Sequence, residues 1–275
     1  MRDDASTRPC FDADAVDAAW QALARRDPRA RVIGVSGLQG SGKTTFARQL
    51  AAHAGRAGRP ALVLSIDDFY FGRRDRARLA RDVHPLFATR GVPGTHDIER
   101  LEVVLAALPR ASGIAPVRWP RFDKGRDTRI PPSRWPCARE APSLVVIEGW
   151  CVGVPPQDER ALRDPVNSLE RDEDPDGVWR RHANDRLAGT YARLWSSIDA
   201  LVVLQAPEWN VVRDWRARQE RPLLARGAAR ALDDTALDRF LMHFERLSRH
   251  AIATLPARGD VCIRLGADHA VLDVG

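Results

Sequence analysis

Short apolar runs alternate along the chain with stretches of helical period. Residues 12–26 space Val16, Ala19, Trp20 and Leu23 at helical intervals, open on aspartate and stop before Pro28, which predicts an N-terminal helix. RVIGVSG (31–37) reads as a short buried strand, and KTTFARQLAAHAGRAG after its glycines as a helix closed by Gly55 or Gly58. ALVLSIDD (61–68) is a second expected strand, 97–109 a helix stopped by Pro109, and SLVVIEG (143–149) a third strand. DALVVLQAP (199–207) supplies a fourth. Leu237, Phe240, Leu241, Phe244, Leu247 and Ile252 line one face of a helix over 235–254, and DVCIRL (260–265) is a fifth strand.

Strands alternating with helices imply right-handed crossovers and a parallel sheet covered by helices on both faces, with ligands at the strands' carboxyl ends. The expected fold class is therefore α/β with a five-stranded parallel sheet in three layers. Residues 110–142, rich in Pro, Arg and Trp, break the rhythm as a functional loop region. Residues 155–177, ending in ERDEDPDG, break it as an exposed insertion. No linker composition divides the chain, so residues 1–30 are read as an N-terminal helical extension and 31–275 as one domain.

Composition narrows the class. With 275 residues and 44% hydrophobic side chains the chain can fill a core, which excludes intrinsic disorder. Cys10, Cys137, Cys151 and Cys262 lie far apart with no CxxC pair, which excludes a zinc ribbon and a dense disulfide framework and points to a reducing cytoplasm. No apolar run approaches the roughly 20 residues of a membrane span, and the start lacks the basic and apolar regions of a signal peptide. The expectation is a cytoplasmic protein without a membrane partner. The net charge of +6 comes from arginines spread along the chain and argues against a dedicated nucleic-acid partner. Only Lys43 and Lys124 are lysines. In a chain that otherwise uses arginine, these two positions call for a compact ammonium.

Lys43 lies in GLQGSGKT (37–44), which satisfies GxxxxGK followed by Ser or Thr between an expected strand and an expected helix. Glycines let backbone amides turn inward around phosphate oxygens, the helix N-terminus favours negative charge, Lys43 reaches the β and γ phosphates and Thr44 offers its hydroxyl to magnesium. Gly37, Gly40, Ser41, Gly42, Lys43, Thr44 and Thr45 are the expected nucleotide-binding residues, with ATP and Mg2+ as cofactors. A guanine-reading NKxD would need a third lysine, and no LSGGQ-like signature is present. That leaves small-molecule kinases, in which a second substrate donates a hydroxyl. Such a hydroxyl needs a proton acceptor, and the second strand ends in Asp67 and Asp68, followed by Tyr70. Asp67 is read as the base and Asp68 as a cap for the next segment, with the reverse assignment open. Glu148, at the end of the third strand, is placed to hold magnesium.

GLQGSGKTT, SIDDFY, RGVPGTHD, PRFDK, EGW and WRARQE occur in this order, and with them the chain resembles the plant and fungal D-glycerate 3-kinases and their bacterial kinase relatives. These belong to the phosphoribulokinase, uridine kinase and pantothenate kinase superfamily of P-loop kinases. The resemblance covers roughly residues 30–270. It implies strand order 2-3-1-4-5 and phosphoryl transfer from ATP to a small alcohol. It also implies Asp67 as general base and Glu148 as the acidic residue at the magnesium end. Arg90, His96 and Asp97 of RGVPGTHD become an acceptor-binding loop, against a plain helix cap as the alternative for His96 and Asp97. Arg121, Asp123 and Lys124 of PRFDK, with Asp68 and Tyr70, would lie by the acceptor, followed by Arg126 and Arg129. The pattern departs from the plant type where Phe122 replaces a tyrosine and GRDTR follows PRFDK directly.

Residues 211–227 place Arg213, Arg216, Arg218 and Arg221 after the fourth strand, where related kinases carry a mobile lid. Arg216 and Arg218 are the expected catalytic arginines, joining Lys43 and Asp67, and either can be the one that faces inward. Trp209 and Trp215 are expected to pack rather than bind a base, and His182, His243 and His250 form no ligand cluster. The leading activity is phosphorylation of a small, anionic hydroxylated substrate, D-glycerate to 3-phosphoglycerate. The alternatives are another small alcohol (a nucleoside, pantothenate or a sugar) and, from a different class, a regulatory or nucleic-acid-binding ATPase.

Overall fold

A computed structural model describes residues 10–225 and 232–275. Residues 1–9, nearly all of the start that lacks signal-peptide regions, and residues 226 and 227 of the expected lid lie outside the described residues. Five strands run parallel: β1 (Val32–Gly37), β2 (Ala61–Ser65), β3 (Leu144–Gly149), β4 (Ala200–Gln205) and β5 (Val261–Leu265). Their order is β2-β3-β1-β4-β5, as the resemblance implies, and the sheet then continues into a sixth strand, β6 (Val271–Val274), antiparallel to β5. The expectation of five strands is corrected by this hairpin. Four residues with half-exposed ends give β6 too little apolar pattern to stand out, and pairing with β5 creates it.

The central strands β1 and β3 are buried along nearly their whole length. Burial on both alternating faces is what helices on each side of a parallel sheet impose, and it explains the unbroken apolar runs. Helix α1 (Ala13–Arg26) buries Val16, Ala19, Trp20 and Leu23 in the same core as the sheet, against α2 (Lys43–Arg56). Strand β2 stops at Ser65, short of the expected residue 68, because its register with β3 runs out at Ser65 opposite Glu148. The chain then closes into a 3-10 turn, Ile66–Phe69, and the two aspartates ride on that turn rather than on the strand.

Helix α3 (Arg73–Asp82) escaped the periodicity because its one buried side chain is an arginine, Arg76. Helix α4 spans Ile98–Ala107. Residues 155–177 are exposed over most of their length, as expected, but not throughout. Within them a short helix α5 (Ser168–Glu173) holds Glu170 fully buried against Arg246, with two hydrogen bonds of 2.8 and 2.6 Å. Asp174, equally buried, pairs with Arg180 at 3.0 Å. Carboxylates that look solvated in the sequence go inside because arginines neutralise them there, Arg246 from 76 positions away and Arg180 from six.

Helix α6 (Val178–Arg186) continues through a π-helical turn (Leu187–Tyr191) into α7 (Ala192–Trp195). Helices α8 (Asn210–Ala225) and α9 (Asp234–Thr254) follow β4. Among the described residues no helix is long and apolar enough to cross a membrane. The carboxyl ends of β1, β2 and β3 converge on one place, and the chemistry gathers there.

Candidate active site

The loop between β1 and α2 is shaped by glycine. Gly40 and Gly42 take φ of 86° and 87°, and a Cβ on Gly40 would stand 2.5 Å from the Cβ of Trp215, so a side chain there collides with α8. Lys43 opens α2, its ammonium 3.5 Å from the Leu38 carbonyl. Burial lowers the Lys43 pKa, while the charges of Glu148 and Asp67 oppose the shift. Thr44 donates to Glu148 Oε1 at 3.0 Å, and Glu148 is 2% exposed at the end of β3. The hydroxyls of Ser36 and Ser41 and both ends of the Gln39 amide are buried with no hydrogen-bond partner. Unmet donors on a left-handed turn at a helix N-terminus fit a polyphosphate. A hydroxyl and a carboxylate 3.0 Å apart supply the oxygen donors that Mg2+ prefers.

Asp67 sits within the field of that lysine. Tyr70 donates its hydroxyl to Oδ1 at 2.8 Å, and Lys124 donates to Oδ2 at 2.6 Å. Burial alone would raise the Asp67 pKa, but Lys124 and Lys43 together hold it well below the usual carboxylate range. Both lysines of the chain thus act on one carboxylate. Asp68 plays a different part: it accepts the Phe122 amide at 3.1 Å and anchors the PRFDK segment, and burial pushes its pKa up.

That segment forms a two-stranded ribbon, Phe122–Asp123 against Thr128–Arg129. Asp123 caps its turn by accepting the Arg126 amide at 2.9 Å, and Asp127 at the far side takes a left-handed φ of 55°. The direct run from PRFDK into GRDTR is therefore a tight hairpin. Asp127 receives Arg76 at 2.7 Å and Arg90 at 2.5 Å, which ties α3 and the RGVPGTHD loop to the ribbon. Arg129 spans to Asp97 (2.9 Å) and to the carbonyls of Phe69 and Tyr70, and Asp97 also caps α4 through the Arg100 amide. Asp97 and Asp123 are thus engaged in holding the loops, and Arg121 is exposed. His96 is buried, stacked on Tyr70 at 4.4 Å. Gly91, at φ 136°, lets the loop pass Phe244, whose ring would lie 2.3 Å from a Cβ, and its carbonyl accepts Trp150 Nε1 of the EGW segment at 3.0 Å.

Comparison with known proteins places this arrangement. The chain is 35% identical over 222 residues, covering 78% of each, to the uncharacterized kinase mug58 of Schizosaccharomyces pombe. It is 28% identical over 237 residues to the chloroplastic D-glycerate 3-kinase of Arabidopsis thaliana, covering 83% of this chain and 49% of that one. It belongs to the P-loop kinase family that includes the D-glycerate 3-kinases. The fold agrees with a solved D-glycerate 3-kinase from Cryptococcus neoformans at a TM-score of 0.76 and 22% identity, over 96% of this chain and 99% of that one. No family model matches the chain.

In this P-loop kinase the two expected lid arginines part company. Arg216 is half-buried on α8, bound to Glu220 and, at 2.8 Å, to Gln219, and it feels the charge of Asp67. Burial lowers its pKa, and Glu220 opposes the shift. Arg218 is exposed and lines the groove between α8 and α9. Arg213, also on the outer side, pairs with Asp238 at 2.6 Å. Trp215 packs as expected, stacking on His269 at 4.4 Å, while His269 lies 2.9 Å from the Gly40 carbonyl.

Sequence reasoning missed Tyr191, Arg76, Asp127 and His269. A signal existed for the first: the kinase has two tyrosines, Tyr70 and Tyr191, and both touch this cleft, just as both lysines do. Nothing in the sequence singles out Arg76 or Asp127 among so many charged residues.

Burial also sets the acid response of the fold. It lowers the His96 pKa from 6.5 to about 4, against the pull of Asp67, and lowers those of His182, His243 and His250. Below pH 6.5 the unfolded chain takes up protons on these rings that the folded chain refuses, so stability falls as pH drops towards the folded values. His96 alone should cost about 2 kcal/mol at pH 5 relative to neutral pH. Urea midpoints measured at pH 7.5 and 5 check this, and a midpoint that holds or rises at pH 5 contradicts it.

Proposed function

We propose that this kinase transfers the γ-phosphoryl group of ATP to a hydroxyl of a small organic acid, with D-glycerate to 3-phosphoglycerate as the leading reaction. The observation that supports it most directly is Asp67 itself. One carboxylate lies in the field of Lys43 from the phosphate loop and in hydrogen-bond contact with Lys124 from the PRFDK ribbon, so the phosphate side and the acceptor side meet at a single proton acceptor. The names carried by relatives in Arabidopsis and Cryptococcus favour glycerate within that class.

The chemistry is a direct displacement. The acceptor oxygen forms a bond to the γ-phosphorus, the bond to the bridging oxygen breaks, and the hydroxyl proton passes to Asp67 and then to water. Asp67 is ionised throughout the working pH range and already holds two donors, so the incoming hydroxyl competes with Tyr70 and Lys124 for its oxygens. Lys43 and the amides of Gly40 to Thr45 hold the phosphates. Thr44 and Glu148 would hold Mg2+, which offsets the charge of the triphosphate. Arg216, freed from Glu220, faces the transferring group from α8, and the cations near Asp68 and Tyr70 (Lys124 and Arg121, and Arg90) suit an anionic acceptor.

A panel of acceptors with ADP release as readout tests the assignment. Turnover with D-glycerate well above that with uridine, pantothenate or simple sugars is expected. Turnover on uridine and none on D-glycerate overturns the acceptor while leaving the kinase chemistry intact.

A further inference from the structure

The phosphate loop is held from outside by the β5–β6 hairpin. His269, in the turn between those strands, takes a left-handed φ of 71°, a conformation uncommon outside glycine and kept only where local contacts hold it. Contacts of three kinds hold it here. The His269 ring stacks on Trp215 with centroids 4.4 Å apart, and the Trp215 indole N–H donates to the Ala267 carbonyl of the same turn at 2.8 Å. The third contact is His269 Nε2, 2.9 Å from the Gly40 carbonyl across 229 positions of chain. A carbonyl oxygen only accepts, so Nε2 carries a proton and donates it.

This bond acts on a single peptide plane. One edge of the plane is the Gly40 carbonyl, facing His269, and the opposite edge is the Ser41 amide, which donates to the Leu38 carbonyl at 3.1 Å. The Leu38 carbonyl also lies 3.5 Å from the Lys43 ammonium, so the Ser41 edge faces the interior of the loop, where phosphate oxygens belong. Glycine takes φ of either sign, which makes inversion of the plane cheap at position 40. An inverted plane would turn the Gly40 carbonyl inward, where it repels phosphate oxygens and competes for Lys43. The donor that keeps the carbonyl outward comes from the hairpin. Beside it, Trp215 fills the space next to Gly40, and Arg216 follows directly on α8, so the same contact sets the loop against the helix that carries Arg216.

We propose that His269 is a positioning residue for nucleotide binding, which by donating to the Gly40 carbonyl keeps the Gly40–Ser41 peptide turned so that the loop interior belongs to amides and Lys43. The proposal rests on reading this loop as the triphosphate site. It adds the β5–β6 hairpin to the nucleotide-binding machinery and leaves the acceptor side untouched.

Substitutions of His269 in the full chain test it. Asparagine tolerates a left-handed φ but is too short to reach Gly40, so His269→Asn should keep the hairpin and its melting temperature while losing the bond. Glutamine places an amide N–H near the position of Nε2. The Kd for a non-hydrolysable ATP analogue with magnesium, read by calorimetry, and the KM for ATP should both rise about fivefold in Asn, the loss expected for one hydrogen bond, and stay within about twofold in Gln. The turnover number and the acceptor KM should hold in both. Damage to folding alone would lower turnover at unchanged KM, because it reduces the fraction of active chains. Deuterium exchange at the Ser41 amide should quicken in Asn and not in Gln. Nucleotide affinity and Ser41 exchange that match wild type in Asn, or turnover that falls while KM holds, overturn the proposal. A wild-type chain that binds no nucleotide overturns the reading of the loop instead, and the Ser41 exchange then decides whether His269 holds the peptide.

Discussion

Asp67→Asn should lower turnover at least about a hundredfold, the effect expected when a general base is removed from a site that keeps its shape. Asparagine fills the same space and can still accept from Tyr70, but it carries no charge and cannot take a proton. Nucleotide binding should survive, because removing the carboxylate leaves Lys43 and Lys124 with more positive charge to offer a triphosphate. Calorimetry with magnesium and an ATP analogue, beside steady-state turnover, separates the two effects. Asp68→Asn should behave differently: Asp68 holds the Phe122 amide, so its loss loosens the ribbon that carries Lys124 and acts mainly on the acceptor KM. Full turnover by Asp67→Asn, or a larger loss of turnover in Asp68→Asn, would reassign the base.

The other large effect belongs to Lys43→Ala. Removing the ammonium from the phosphate loop should again cost at least about a hundredfold in turnover, the scale of a lost electrostatic contact to the transferring group. Folding should not suffer in proportion. Burial lowers the Lys43 pKa, which means that the folded protein disfavours its charge, and alanine removes that charge. A melting temperature that holds or rises alongside collapsed activity is the expected pair of results. Activity within about tenfold of wild type would mean that the loop amides and Arg216 suffice to hold the phosphates.

The phosphate loop was legible because its constraint is local. A strand, a glycine turn and a helix N-terminus are consecutive in the chain, and only lysine gives a compact charge at position 43, so spacing and residue identity carry the whole message. The five parallel strands were legible for a similar reason. Strands buried on both faces must be largely apolar, and β1, β3 and β4 are, save for Ser36, Glu148 and Gln205 at their carboxyl ends. The short strand β6 left no such mark, since its pairing with β5 and not its own side chains makes it a strand.

Charged residues mark the other boundary. In a chain with 43 basic and 37 acidic side chains, the sequence does not distinguish an arginine that faces water from one that is buried. Arg216 and Arg218 stand two positions apart on α8, and that spacing turns one towards Asp67 and the other into solvent. Glu170 and Asp174 read as surface residues until Arg246 and Arg180 meet them inside. The sequence by itself determined the sheet's parallel strands, the nucleotide loop and the rarity of lysine and tyrosine. Tertiary structure decided which charges pair, that both lysines converge on Asp67, and that Tyr191 meets His96 across 95 positions of chain. The first set depends on neighbours in sequence, the second on free energies of burial and pairing that exist only once distant segments share one dry interior.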